Sequence, residues 1–208
     1  MQTATYKLTE LFIIFMIIPV SFAIDYPLWI KMAIGLIGFI YVVFILLRIE
    51  KNKFKIAPNL NLNTFFKRIV VQLLLISVFT IVYMWFVNQP NLFIMVLNKP
   101  LLWLLFLFIY SLFSVYPQEL VYRTFFFQRY QGLFKSDLLF IITNAVLFSL
   151  AHLFFRNSLV MLLTFIGGLL FAITFKKTKS TLLVSVEHAI YGCWLFTVGM
   201  GEILGFPS

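Results

Sequence analysis

Glu119 and Arg123 are out of place by composition, and that makes them candidates for chemistry. They lie in Tyr116-Pro117-Gln118-Glu119-Leu120-Val121-Tyr122-Arg123, between an apolar run from Leu101 to Val115 and Phe125-Phe126-Phe127. An ionisable side chain inside such a segment costs about 2.5–3.5 kcal/mol on insertion scales, so it is as a rule paired and tied to function. The spacing is i,i+4 with the acid first, the favourable order for a pair on one helix face. A purely structural ion pair fits this stretch as well as a reactive one, so the decision rests on what else reaches Glu119.

The chain has only two histidines, His152 in Phe148-Ser149-Leu150-Ala151-His152 and His188 in Val186-Glu187-His188-Ala189. Both stand in apolar segments. One such histidine is readily a hydrogen-bonded packing residue, whereas two with an acid, and none elsewhere, point to a site. Glu119 with His152 is expected to take a proton from water. His188 is expected to donate to a developing oxyanion, and Arg123 to position Glu119. Glu187, beside His188, adds a further acid.

Depth supports the grouping. The helices on either side of Lys135-Ser136 should form a hairpin, with Glu119 about sixteen residues before that turn and His152 about sixteen after it. At about 1.5 Å per residue both lie roughly 24 Å from the turn. His188, about eleven residues beyond Lys177, is shallower at roughly 16 Å and depends on tilt to join them.

The elements that must position these groups are membrane helices. The 208 residues are 62% hydrophobic and 11% charged, with a mean hydropathy of +1.03. A soluble domain is nearer half apolar and a quarter charged. The expected fold is all-α: one polytopic membrane domain over residues 1–208. Seven spans are read at Thr9 to Ile24, Leu28 to Leu47, Ile69 to Val87, Leu101 to Leu133, Leu138 to Phe155, Ser158 to Phe175 and Thr181 to Val198. Residues 101–198 form the four-helix core that carries the site. The first span is short, carries Pro19 and resembles a signal peptide, but Glu10 and the short Asp25-Tyr26-Pro27 loop favour a retained helix. Leu92 to Leu97 is too short to cross and reads as half-buried or interfacial. Arg48 to Thr64, Asn-rich around Pro58, reads as a surface loop, and Phe65 to Arg68 as an interfacial anchor.

With the N-terminus cytoplasmic, Lys7, Arg48, Lys51, Lys53, Lys55, Lys67, Arg68, Arg129, Lys135, Lys176, Lys177 and Lys179 fall inside, and only Lys31, Lys99 and Arg156 outside. The net charge of +9 is thus a topology signal and does not indicate nucleic acid. Ser136 or Asp137, Asn157 and Ser180 stand where helix N-caps are needed, and Gly132 where the fourth helix ends. Pro117 should kink that helix beside Glu119 and leave the Phe113 carbonyl without its bond. Gly167-Gly168 should allow close helix approach. Cys193, the single cysteine, reads as a small buried hydrophobe.

Gln118-Glu119-Leu120-Val121-Tyr122-Arg123, Phe148 to His152, and His188 to Gly192 resemble, in order and spacing, three motifs of the CAAX protease and bacteriocin-processing (Abi) family of intramembrane endopeptidases: Glu-Glu-x-x-x-Arg, Phe-x-x-x-His and His-x-x-x-Asn. The resemblance covers about Trp103 to Val198. It implies hydrolysis of a hydrophobic or lipidated peptide by Glu119, Arg123, His152 and His188, with membrane lipid around the protein and a bacterial inner membrane as its place. Two departures stand out. The first acid of the family is Gln118 here, and the last asparagine is Gly192, without a side chain to hold an oxyanion. They leave a second reading, a proteolytically silent relative that binds peptide as an immunity or scaffold protein. A small transporter would use similar groups, but no inverted repeat is seen. Glu119, His152 and His188 would also suit Zn²⁺ with water in the fourth position. The family has been described as metal-dependent, yet an acid-activated water needs no ion, and no cofactor is the expectation.

Overall fold

The computed structural model describes residues 3–54, 57 and 60–201. Lys55 and Pro58 of the basic loop lie outside the described residues. Among the described residues there is helix and no strand. The helices are α1 (Ala4–Ser21), α2 (Leu28–Ile49), α3 (Leu62–Val87), the short α4 (Ile94–Asn98), α5 (Pro100–Leu133), α6 (Asp137–Leu150), α7 (Ser158–Thr178) and α8 (Thr181–Met200). With a turn that carries α6 on to Phe155, seven are long and apolar enough to cross a membrane. The protein is an integral membrane helix bundle. Its outer faces carry exposed Leu, Ile, Val and Phe on almost every helix, as lipid contact requires.

The caps follow the sequence. The Ser136 hydroxyl accepts from the Leu139 N–H, Asn157 from those of Leu159 and Val160, and Ser180 from that of Leu183. One boundary differs. α3 begins at Leu62, well before the expected Ile69, because the Asn61 side chain accepts from the Thr64 N–H at 3.0 Å and starts the helix in the polar stretch. Apolarity sets where a helix meets lipid; capping sets where it begins.

Pro117 loosens α5 through a change of hydrogen-bond register. Wide, π-type turns at Tyr110–Val115 and Leu120–Phe125 flank it, and the Tyr116 N–H bonds back five residues to Ser111. A proline deprives the helix of one donor, and such turns absorb the irregularity. They also rotate the side chains of Glu119 and Arg123 relative to the first half of the helix.

Alternate crossing brings charged groups to the two ends of the bundle. Lys176 meets Asp137 at 2.7 Å at one end, and Arg156 meets Asp25 at 2.8 Å at the other. α1 is tied in by Glu10, which is buried and bonded to Arg129 (2.7 Å), Tyr130 (2.9 Å) and Tyr41 (2.5 Å), with Arg129 also reaching Glu50 at 2.7 Å. Phe15 packs below them among Tyr122, Phe125, Phe126 and Tyr130. Arg129, read as a topology charge, is thus an internal clamp. Cys193 is half-buried, 3.6 Å from the Ser111 hydroxyl, rather than in the core. The interfacial segment folds as α4 against the end of α8. Gly199 there has φ +100°, and a Cβ on it would lie 2.0 Å from the Asn91 carbonyl oxygen.

α6 and α7 form the tightest helix pair. A Cβ on Gly168 would fall 2.9 Å from the Ala145 Cα, so the glycine permits this approach. Gly168→Val should therefore destabilise the bundle by about 1–3 kcal/mol. Thermal unfolding in detergent checks this; an unchanged midpoint would show that the α6–α7 contact yields without cost.

Candidate active site

α5, α6 and α8 each contribute one part of a buried polar cluster. Glu119 on α5 and His188 on α8 face each other, with Glu119 Oε1 2.8 Å from His188 Nδ1. Glu119 Oε2 is 3.3 Å from Arg123 Nε, closing the i,i+4 pair. Arg123 is fully buried, donates from Nη1 to Asn144 on α6 at 2.6 Å, and lies 4.7 Å over the Phe148 ring. Asn144 in turn donates to the Tyr122 carbonyl at 2.7 Å. A charge in an apolar bundle must be held in this way, since an unpaired one is far costlier than the pair.

His152 lies within the expected span, in the turn that joins α6 to Leu153–Phe155 near the span's end. Its Nδ1 is 2.8 Å from the Phe148 carbonyl oxygen. A carbonyl only accepts, so Nδ1 carries the proton, and in the neutral ring Nε2 is left as a base. Phe148 separates the two histidines, its ring centre 5.0 Å from that of His152 and 5.8 Å from that of His188. Phe171 stacks on His188 at 4.3 Å and fixes the plane of the imidazole.

Both histidines line one cavity of about 840 Å³, together with Tyr110, Ser114, Gln118 and Thr164. Most of the remaining wall is apolar, and α1 and α2 supply a large part of it through residues such as Ile14, Ile18, Phe22, Gly35 and Phe39. Glu119 and Arg123 are not among the lining residues; they lie fully buried behind His188. The four expected residues thus form one cluster with two faces. The histidines meet the cavity, and the acid and guanidinium back it. Glu119 is bonded to His188, where a partnership with His152 was anticipated. Gln118 takes the cavity-facing position on α5, with its amide donating to Ser114 Oγ at 2.8 Å.

Glu187 turns away from this cluster towards α3. It pairs with Arg68 at 3.2 Å and accepts from Tyr191 at 3.2 Å, while Arg68 also donates to Thr174 at 2.6 Å. Arg68, expected at the interface, is thereby a bundle residue. Asn144 was not singled out from the sequence, although an amide in Ile141-Ile142-Thr143-Asn144-Ala145-Val146 carries the same signal as Glu119: a polar group amid lipid-compatible ones.

The donor set does not fit a zinc ion. Glu119 Oε1 and His188 Nδ1 are engaged with each other at 2.8 Å, and His152 Nδ1 is spent on a backbone carbonyl. Among the described residues no three His, Cys, Asp or Glu side chains converge as metal ligands.

The paired acid and the two histidines thus stand at one end of a large apolar cavity within the membrane bundle. Residues 100–194, from the start of α5 to late in α8, match the family model of the Rce1-like type II CAAX prenyl endopeptidases. Over that segment the resemblance to the CAAX protease family is shown. Comparison with curated proteins and with solved structures gives no match.

The buried pair has a measurable signature. Arg123→Met leaves Glu119 buried beside one partner fewer and should cost about 3–5 kcal/mol of stability. Glu119→Gln with Arg123→Met should recover much of that loss. Unfolding free energies of the three variants form the test, and an Arg123→Met protein as stable as the parent would remove the pair from any structural role.

Proposed function

We propose that the chain is a membrane-embedded endopeptidase of the CAAX type, hydrolysing a peptide bond in a hydrophobic or lipidated peptide without a metal ion. The observation that carries this reading is the shared cavity: two differently bonded histidines at one end of a long apolar chamber, within the segment that matches the family. The apolar wall suits a greasy chain, and the polar end suits the amide to be cut.

His152 serves as the base. Its Nδ1–H is committed to the Phe148 carbonyl, so Nε2 receives the proton of a water that attacks the scissile carbonyl carbon. Gln118 cannot take that role, since a carboxamide is no base at neutral pH. His188 serves the oxyanion side. Its Nδ1–H donates to Glu119, which orients the ring in the manner of an acid behind a catalytic imidazole. As the tetrahedral intermediate collapses, the carbon–nitrogen bond breaks, and His152 returns its proton to the departing amine. The products are a carboxylic acid and an amine. The charge asymmetry of the loops supports a cytoplasmic N-terminus, which puts Lys7, Arg48 and Lys176 on that side.

The test uses purified full-length protein in lipid nanodiscs with fluorogenic peptides, unmodified or S-prenylated. Cleavage should fall about 100-fold or more in His152→Ala, and substantially in Glu119→Gln. If the parent, His152→Ala and Glu119→Gln are equally inert while a prenylated peptide still binds, the chain is a peptide-capturing relative and the endopeptidase reading fails.

A further inference from the structure

Position 192 raises a chemical problem. In the resemblance noted above, a side chain amide four residues after the second histidine holds the oxyanion, and glycine offers none. A Cβ on Gly192 would lie 2.1 Å from the Tyr110 hydroxyl oxygen and 2.6 Å from ring atoms Cε1 and Cζ. The space where a side chain at 192 would begin is therefore filled by the phenol of Tyr110, reaching across from α5. Any residue but glycine at 192 would expel it. That hydroxyl lies 3.2 Å from His188 Nε2 and, with His188, lines the cavity.

We propose that Tyr110 is a catalytic residue of this chain, its hydroxyl binding the oxyanion in the place vacated at position 192. The inference rests on the endopeptidase reading and names the donor within it. Glu119, His188 and Tyr110 form a continuous line, with steps of 2.8 and 3.2 Å, from the buried acid to the cavity. In the proposed arrangement Nε2–H of His188 donates to the Tyr110 oxygen while Nδ1 keeps its bond to Glu119. The phenolic O–H is then directed at the substrate's carbonyl oxygen. No proton leaves the phenol: the O–H donates as negative charge builds and relaxes when the carbonyl re-forms.

Tyr110 opens the wide turn that runs to Val115. Replacement of one side chain by another from a facing helix is a steric exchange: tyrosine at 110 in this position requires glycine at 192. Tyr110 is thereby distinguished from the many aromatic residues that merely fill the bundle.

The experiment compares five proteins in nanodiscs with the same prenylated fluorogenic peptide: the parent, Tyr110→Phe, Tyr110→Ala, Gly192→Asn and the double variant Tyr110→Ala with Gly192→Asn. Tyr110→Phe keeps the ring and should lower kcat by about 100-fold, the scale of one lost oxyanion donor, with KM and melting temperature nearly unchanged. Gly192→Asn alone should melt lower than the parent, because its side chain collides with the phenol. The double variant should regain the melting temperature and recover kcat at least about tenfold over Tyr110→Ala, as expected for one oxyanion donor standing in for another. A Tyr110→Phe protein with the parent's kcat, or a double variant no faster than Tyr110→Ala, overturns the assignment of Tyr110 while leaving the endopeptidase reading intact. Parent protein no more active than His152→Ala ends that reading, and this inference with it.

Discussion

A carboxylate inside an apolar helix bundle has to be partnered, and the partners of Glu119 dictate how α5, α6 and α8 come together. Arg123 answers it from the same helix, His188 from α8, and Asn144 on α6 then accepts from Nη1 of the guanidinium. Each step fixes a helix rotation. α8 must present His188 inward to reach the acid, and that turns Glu187, one residue earlier, outward to Arg68 on α3. Burial of the Glu119–Arg123 pair therefore specifies the bundle more than it stabilises it, since desolvation consumes much of the attraction between the charges. The aromatic layer of Phe148 and Phe171 excludes water from the pair and holds both imidazoles in place.

Much of this arrangement was legible in the residues. Long apolar runs gave seven crossings, and Ser136, Asn157 and Ser180 marked three helix starts, because span length and capping are local properties. The gathering of Glu119, Arg123, His152 and His188 in one region followed from depth along antiparallel helices. Which atom faces which did not follow, since it depends on how each helix is rotated about its axis, and the π-type turns around Pro117 reset that rotation within α5. So Glu119 was matched to His152, whereas its bond is to His188. α3 began earlier than its apolar stretch because a single Asn61 cap sets the start. Glu10 and Arg129 were each noticed, but for processing and topology, and their mutual contact spans most of the chain's first two-thirds in sequence. Tyr110 carried no signal at all in a chain with 27 Phe and 9 Tyr.

The cavity joins two parts of the chain that differ in origin of evidence. The polar end belongs to α5, α7, α8 and the turn after α6, inside the stretch similar to Rce1-like endopeptidases. The apolar wall is completed by α1 and α2, outside that stretch. The apolar wall and the polar cluster are thereby built largely from different helices. The Glu10–Arg129 clamp couples the two, because Arg129 closes the same α5 that bears Glu119 and Arg123.

The two departures from the family pattern have opposite structural consequences. At position 192 the lost side chain is replaced by volume and by a hydroxyl, since Tyr110 occupies the gap and contacts His188. At position 118 the lost acid has no comparable substitute. Gln118 faces the cavity and bonds to Ser114, while the neighbouring acid is sealed behind the wall with both oxygens engaged. On the proposed endopeptidase reading, proton abstraction falls to a group with a lone pair towards the cavity, and the backbone bond at His152 Nδ1 leaves Nε2 of that ring as such a group. On that reading, Gln at 118 leaves the base to the turn after α6 and the oxyanion side to α5 and α8.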